Sequence, residues 1–166
     1  MSNSTREAHR EATHIAMFGA GCFWGVQFAF DQIEGVVETA VGYAGGETAE
    51  PSYREVCGKD TGHAEVVWLR FDPEVVSYRA LCDAFFSMHD PTQKDRQGPD
   101  VGRQYRSIVF CADSNQRDVV EAAMKDAQAE LSRPIATELA EWSRFWRAEE
   151  GHQKYFEQHG ITACGM

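Results

Sequence analysis

The chain has no Cys-x-x-C pair, no apolar stretch of membrane-spanning length, no repeat, no low-complexity tract and no excess of positive charge. Each lack excludes something. Without Cys-x-x-C, neither a zinc knuckle nor a thioredoxin-type redox motif is indicated. Without a long apolar run, no segment reads as a transmembrane helix. Sixteen basic against twenty-six acidic residues give a formal charge of −10, which repels phosphate backbones and anionic lipid. Nucleic acid and membranes are therefore not expected as partners. His63, His89, His152 and His159 lack the spacing of a metal site, so no metal and no cofactor is expected. Met1 to Ala12 is polar and mixed in charge, without the apolar centre of a secretory signal. Five cysteines, Cys22, Cys57, Cys82, Cys111 and Cys164, are odd in number and widely spaced. That is a poor disulfide framework, and a reducing cytoplasm is the expected setting.

What is present is enough for a folded domain. A chain of 166 residues buries a hydrophobic core without staples, and its aromatics are spread along the whole length. One domain is expected over residues 1–166, with a polar extension at 1–12 and a flexible tail at 160–166. The run from Thr13 to Phe18 reads as a buried strand stopped by Gly19 and Gly21. Phe23, Val26, Phe30 and Ile33 then recur at near-helical spacing, with Gly35 as the expected left-handed cap. A strand follows over Val36 to Tyr43, with Val37, Thr39, Val41 and Tyr43 on one face.

Ser52 and Glu55 have the spacing of a capping box, so a short helix is predicted from Tyr53. His63 to Phe71 alternates as a strand, and a helix carrying Leu81, Ala84, Phe85 and Met88 on one stripe comes next. A glycine-bearing loop from Asp90 to Gly102 precedes a strand at Ser107 to Ala112. Ser114 is placed to cap the helix behind it. A strand near Ile135 to Leu139 and a helix from about Ala148 to His159, stopped by Gly160, complete the pattern. Strands interleaved with helices indicate an α+β sandwich, a mixed β-sheet covered by helices.

Cys22 falls at a strand-to-helix junction. A helix N-terminus offers unpaired amides and partial positive charge, which favour a thiolate, so a thiol below the usual ~8.5 is expected there. A small buried hydrophobe is the other reading of that position. Glu65 shares its side of a strand with His63, Val67, Leu69 and Phe71. A carboxyl on an apolar face is pushed up and becomes a proton donor near neutral pH, unless it lies in solvent or pairs with an arginine. Phe23 and Trp24 either line an apolar pocket or are core aromatics of the helix. Tyr53 and Tyr105 sit in or beside loops as candidate hydrogen-bond donors, and Asp100 is by default a turn residue. Cys164, near the C-terminus, is a thiol able to meet an oxidised partner. Cys57, Cys82 and Cys111 read as packing residues.

These segments together resemble one family, the A-type peptide methionine sulfoxide reductases. Gly21-Cys22-Phe23-Trp24-Gly25 is similar to that family's nucleophile motif. Pro51-Ser52-Tyr53-Arg54-Glu55-Val56-Cys57 and Thr61-Gly62-His63-Ala64-Glu65-Val66-Val67 are similar to its second and third blocks. His89-Asp90-Pro91-Thr92, Gln104-Tyr105-Arg106-Ser107, Ala148-Glu149-Glu150 and His152-Gln153-Lys154-Tyr155 continue the likeness in order. The resemblance implies a ferredoxin-like two-layer core and thiol-dependent reduction of methionine sulfoxide, S at sulfur, in proteins and peptides. It implies Cys22 as nucleophile, Glu65 as proton donor, Tyr53 and Tyr105 as donors to the sulfoxide oxygen, and Asp100 in the polar network. Phe23 and Trp24 would hold the substrate methyl. Cys164 would resolve a Cys22 sulfenic acid into a disulfide recycled by thioredoxin, in a monomeric protein-repair enzyme. A thiol peroxidase or cysteine hydrolase built on Cys22, and a non-catalytic module that binds methionine-rich peptides, are the competing readings.

Overall fold

The computed structural model describes residues 14–58 and 60–160. Strand β1 (His14–Ala20) leads into helix α1 (Phe23–Asp31), and β2 (Val36–Ala44) is followed by the short α2 (Tyr53–Gly58). Strand β3 (Ala64–Phe71) and helix α3 (Tyr78–Ser87) come next, then a two-stranded hairpin of β4 (Arg96–Gln97) and β5 (Asp100–Val101). Strand β6 (Ser107–Cys111), helix α4 (Ser114–Ala129), β7 (Glu138–Glu141), β8 (Trp146–Arg147) and the single turn α5 (Tyr155–Gln158) complete the order.

Among the described residues, six strands form one mixed sheet in the order β7-β6-β1-β3-β2-β8. Its centre, β6-β1-β3-β2, is antiparallel throughout, while β7 joins β6 in parallel. Strand, helix, two strands, helix, strand, with the first and third strands in the middle, is the split βαβ arrangement of ferredoxin-like folds. Helices α1 and α3 pack on one face: Phe18, Val41, Tyr43, Val67, Leu69 and Phe71 meet Phe23, Phe30, Leu81 and Phe85. The other face carries Met17, Val66, Ile108 and Phe110, against which Trp142 and Phe145 pack. With both faces covered, β3 is buried at almost every position, whichever way its side chains alternate.

Several boundaries differ from the sequence reading. Strand β1 continues through Gly19 to Ala20, because β6 pairs with Gly19 and Ala20. The first helix stops at Asp31, and Gly35 takes its positive φ of 99° in the turn beyond. Val37 is exposed because the β2–β3 register shifts between Val36 and Glu38, and a bulge turns it off the core face. The cap of α4 is Asp113, whose side chain accepts from the Gln116 N–H at 2.8 Å, not Ser114. The late strand lies at Glu138–Glu141, slightly beyond the expected span.

The largest departure is at the C-terminal end, where no continuous helix runs from 148 to 159. Gln153 inserts against β2 instead: its Oε1 accepts from Val41 N–H at 2.9 Å, and its Nε2 donates to Val41 O at 2.9 Å. Lys154 takes a left-handed conformation and caps the α1–β2 junction, its Nζ reaching Asp31 at 2.6 Å and Thr39 at 2.7 Å. Sheet-edge bonding wins over helix propensity here. The capping box, by contrast, forms as expected: Glu55 N–H donates to Ser52 Oγ at 3.1 Å, and Ser52 N–H donates back to Glu55 Oε1 at 3.2 Å.

Candidate active site

Gly21 has a φ of 96°, a left-handed turn that swings the chain from β1 into α1 and leaves Cys22 as the helix N-cap. The thiol is partly buried, and its pKa is raised to about 12. Burial is the main cause; the charges of Glu65 and Asp100 add to it, and the amides of Trp24 and Gly25 oppose it. The helix amides thus act in the expected sense but are outweighed, and the lowered thiol expected from sequence is not what the fold produces. Part of the repulsion comes from a carboxylate that is itself neutral at neutral pH.

That group is Glu65. It is 1% exposed, on the middle strand β3, and its pKa is raised to about 8, chiefly by burial and further by Asp100. One oxygen, Oε1, accepts the Phe23 N–H at 3.3 Å, which partly offsets the rise. The strand-face argument for a protonated carboxyl therefore describes this residue correctly.

Tyr53 opens α2 and Tyr105 closes the 3-10 turn Arg103–Tyr105. Both phenols are half-buried and pushed up, first by burial and then by neighbouring groups that include Glu65. They are donors over the whole working pH range. Asp100 lies on β5, in a hairpin within the stretch where the sequence predicts a loop, and its charge is felt at Cys22, Glu65 and Tyr105. Cys22, Glu65, Tyr53, Tyr105 and Asp100 thus come together from five different elements. Cys164 lies outside the described residues.

Phe23 is fully buried, its ring against Tyr43 at 5.6 Å and Tyr53 at 6.3 Å. Trp24 is partly exposed and stacks on Tyr155 at 3.9 Å and 11°. Beside the thiol, Cys22, Val26, Met88, Pro99 and Asp100 line a cavity of about 490 Å³.

Sequence reasoning missed four residues here. Trp24 Nε1–H donates to His152 Nδ1 at 3.1 Å, so His152 orients the indole rather than merely packing. Glu149 accepts the Tyr53 N–H at 3.3 Å and pairs with His152 Nε2 at 3.4 Å, holding α2 to the C-terminal segment. Cys57 is exposed, not a packing residue, and its thiol interacts with the Tyr53 and Tyr105 hydroxyls. Tyr43 is fully buried directly across from Glu65 in the β2–β3 register. The signal for His152, Glu149 and Cys57 lay in the motif segments 152–155, 148–150 and 51–57; nothing local marks Tyr43. Cys82 and Cys111 are buried, as expected.

The sequence profile of the peptide methionine sulfoxide reductases matches residues 14–166. The chain belongs to that family. The reductase is 52% identical over 159 residues to the peptide methionine sulfoxide reductase MsrA of Methanoculleus marisnigri, covering 95% of this chain and 97% of that one. It is 51% identical over 153 residues to MsrA of Methanosarcina mazei, covering 91% of this chain and 72% of that one. Among solved structures, reduced Mxr1 from Saccharomyces cerevisiae superposes with a TM-score of 0.87 at 34% identity, over 93% of the reductase and 91% of Mxr1. Among the described residues, no group of three or more His, Cys, Asp or Glu side chains is arranged to hold a metal ion, and no helix is long and apolar enough to cross a membrane.

Proposed function

We propose that this reductase converts the S epimer of methionine sulfoxide, in proteins and peptides, to methionine, with Cys22 as nucleophile and Glu65 as acid. The observation that carries the reading is the pairing of a helix-cap thiol with a buried carboxyl whose pKa of about 8 keeps it protonated at neutral pH. A sulfoxide oxygen leaves poorly until protonated, so the acid is what the chemistry needs.

Glu65 donates to the sulfoxide oxygen, and the Tyr53 and Tyr105 phenols donate to the same atom as negative charge grows on it. The substrate sulfur becomes electrophilic, and the Cys22 sulfur attacks as its own proton leaves. The net change is balanced: the sulfoxide and the thiol become methionine and Cys22 sulfenic acid. The oxygen and two electrons exchange owners, and the thiol proton ends on the sulfenic oxygen. A resting thiol, not a thiolate, suits this sequence, because ionisation is needed only once the protonated sulfoxide is in place. A peroxidase or hydrolase relying on a preformed thiolate fits a thiol near 12 poorly.

Phe23 and Trp24 hold the substrate methyl, and Asp100 belongs to the polar network around the acid. Cys164 attacks the Cys22 sulfenic sulfur and expels water, forming a disulfide that two exchanges with reduced thioredoxin return to thiols. The thioredoxin step is supported by the family and by Mxr1, which forms a complex with Trx2. The enzyme acts as a monomer in the cytoplasm.

Single-turnover kinetics on each sulfoxide epimer, with thiols counted before and after, tests the proposal. One epimer is expected to react, with loss of two thiols per methionine formed. Turnover retained in Cys22→Ser, or equal rates on both epimers, overturns it.

A further inference from the structure

The acid of this site has an unclaimed partner on the neighbouring strand. Strands β2 and β3 bring Tyr43 and Glu65 into register as directly opposed residues. Both are buried, at 0% and 1% exposure, and the Tyr43 ring packs on Phe23, the residue whose N–H holds Glu65 Oε1. Among the described residues two polar atoms here lack hydrogen-bond partners: the Tyr43 hydroxyl and Glu65 Oε2. One is a donor and the other an acceptor once ionised. Buried polar groups without partners are rare in folded proteins, and two on opposed residues of one pair are complementary in role.

The two glutamate oxygens are not equivalent in this setting. With Oε1 accepting a backbone N–H, the transferable proton sits on Oε2. After transfer, the charge left on Oε2 is what a donor can stabilise. The other groups facing this point are Cys22 at the cap of α1, Tyr53 and Cys57 on α2, Asp100 on β5 and Tyr105 in the 3-10 turn, with Glu149 facing Tyr43. Tyr53 and Tyr105 are committed by the proposed reaction to the sulfoxide oxygen. The hydroxyl of Tyr43 is the one left for the carboxylate.

We propose that Tyr43 is a positioning residue for the reaction, whose phenol donates through one bound water to Oε2 of Glu65 as the carboxyl loses its proton, strengthening it as an acid. The proposal rests on the reading of Glu65 as proton donor. Net proton bookkeeping is unchanged, since Tyr43 keeps its own proton throughout.

Tyr43→Phe retains the ring and its packing. In single turnover against pH, wild-type protein is expected to lose rate above a pH set by Glu65. Tyr43→Phe is expected to move that limb upward by about one pH unit, the usual worth of a hydrogen bond to an ion. At neutral pH the rate falls several-fold, as for a weaker acid, with KM little changed. Carboxyl-carbon NMR of glutamate-labelled, substrate-free protein should show the same upward shift at Glu65. An unmoved limb and an unmoved resonance overturn the role of Tyr43 while leaving Glu65 as the acid. A wild-type profile without the limb, or a Glu65→Gln variant as fast as wild type, overturns both. Should Tyr43→Phe fail to fold, 3-fluorotyrosine at position 43, a stronger donor of nearly the same shape, is expected to shift the limb downward, and no shift overturns the proposal.

Discussion

The Phe23 N–H donates to Glu65 Oε1 at 3.3 Å, joining the first turn of the nucleophile's helix to the middle strand across 42 residues of sequence. Thiol and acid are thereby held in one frame. Movement of α1 along its axis would break this bond and separate the two groups, so the contact that fixes their geometry also moderates the rise that burial imposes on Glu65.

Glu65→Gln keeps a hydrogen-bonding amide but has no transferable proton. Its single-turnover rate is expected to fall by about 10²- to 10⁴-fold. The wild-type rate should be level below pH 8 and decline above it, as the acid, with a pKa of about 8, loses its proton.

The same shift acts on stability. The folded pKa of about 8 lies above the ordinary value of 4.5, so between those limits the folded state binds more protons than the unfolded one. The Glu65 contribution to stability is then largest below about 4.5 and is lost as pH rises toward 8, at up to about 1.4 kcal/mol per unit. Glu65→Gln removes this loss. Thermal melts at pH 9 should therefore find the variant more stable than wild type, and a lower Tm for the variant at that pH would contradict the burial argument.

At pH 7, substrate-free Cys22 should react sluggishly with iodoacetamide. A thiol near 12 has a thousandth of the thiolate of one at its ordinary 9.0, roughly, and higher intrinsic nucleophilicity recovers part of that. A rate about ten- to hundred-fold below that of a cysteine in an unstructured peptide is expected. Peptide mapping by mass spectrometry reads it, and Cys22 labelling at the peptide rate would count against a resting thiol.

His152→Ala leaves the Trp24 indole N–H without its acceptor and removes a ring 4.4 Å from Tyr53. A loss of about 1 kcal/mol in stability is expected, since water can reach the half-buried indole N–H and replace part of the lost bond. Because Trp24 is proposed to hold the substrate methyl, KM should rise more than kcat falls. A pure fall in kcat would point to Tyr53 as the group disturbed.

Gly46→Ala tests the loop behind β3. A Cβ there would run into the backbone nitrogen of His63 and the carbonyl oxygen of Thr61, neither of which can rotate away. Overpacking of this kind costs about 1–3 kcal/mol. Chemical denaturation should show a lower midpoint with unchanged m-value, and a midpoint equal to wild type would mean the loop moves freely.

The order of strands and helices was legible because each carries its own period and stop signals. The capping box at Ser52 and Glu55 and the strand over Ala64–Phe71 formed where local rules put them; α3 buries Leu81 and Phe85 of its expected stripe together with Cys82 and Phe86, while Ala84 and Met88 are half-buried. The segment after Ala148 did not, since what shapes it is Gln153 bonding to the edge of β2, a partner 112 residues away. The hairpin of β4 and β5 leaves no mark in the sequence because two-residue strands have no period.

That Cys22 stands at the start of a helix and Glu65 on a core-facing strand follows from local spacing alone. Motifs spread along the chain likewise carry the family. The protonation of the pair does not follow from spacing and is fixed by the fold. Ionisation depends on how much solvent is removed and which charges are near, and those are sums over residues distant in sequence. Burial and the charges of Glu65 and Asp100 override the helix amides at Cys22, and burial with Asp100 lifts Glu65 to about 8. The same is true of Tyr43, which reads locally as one more core aromatic and meets Glu65 only because β2 and β3 pair in that register.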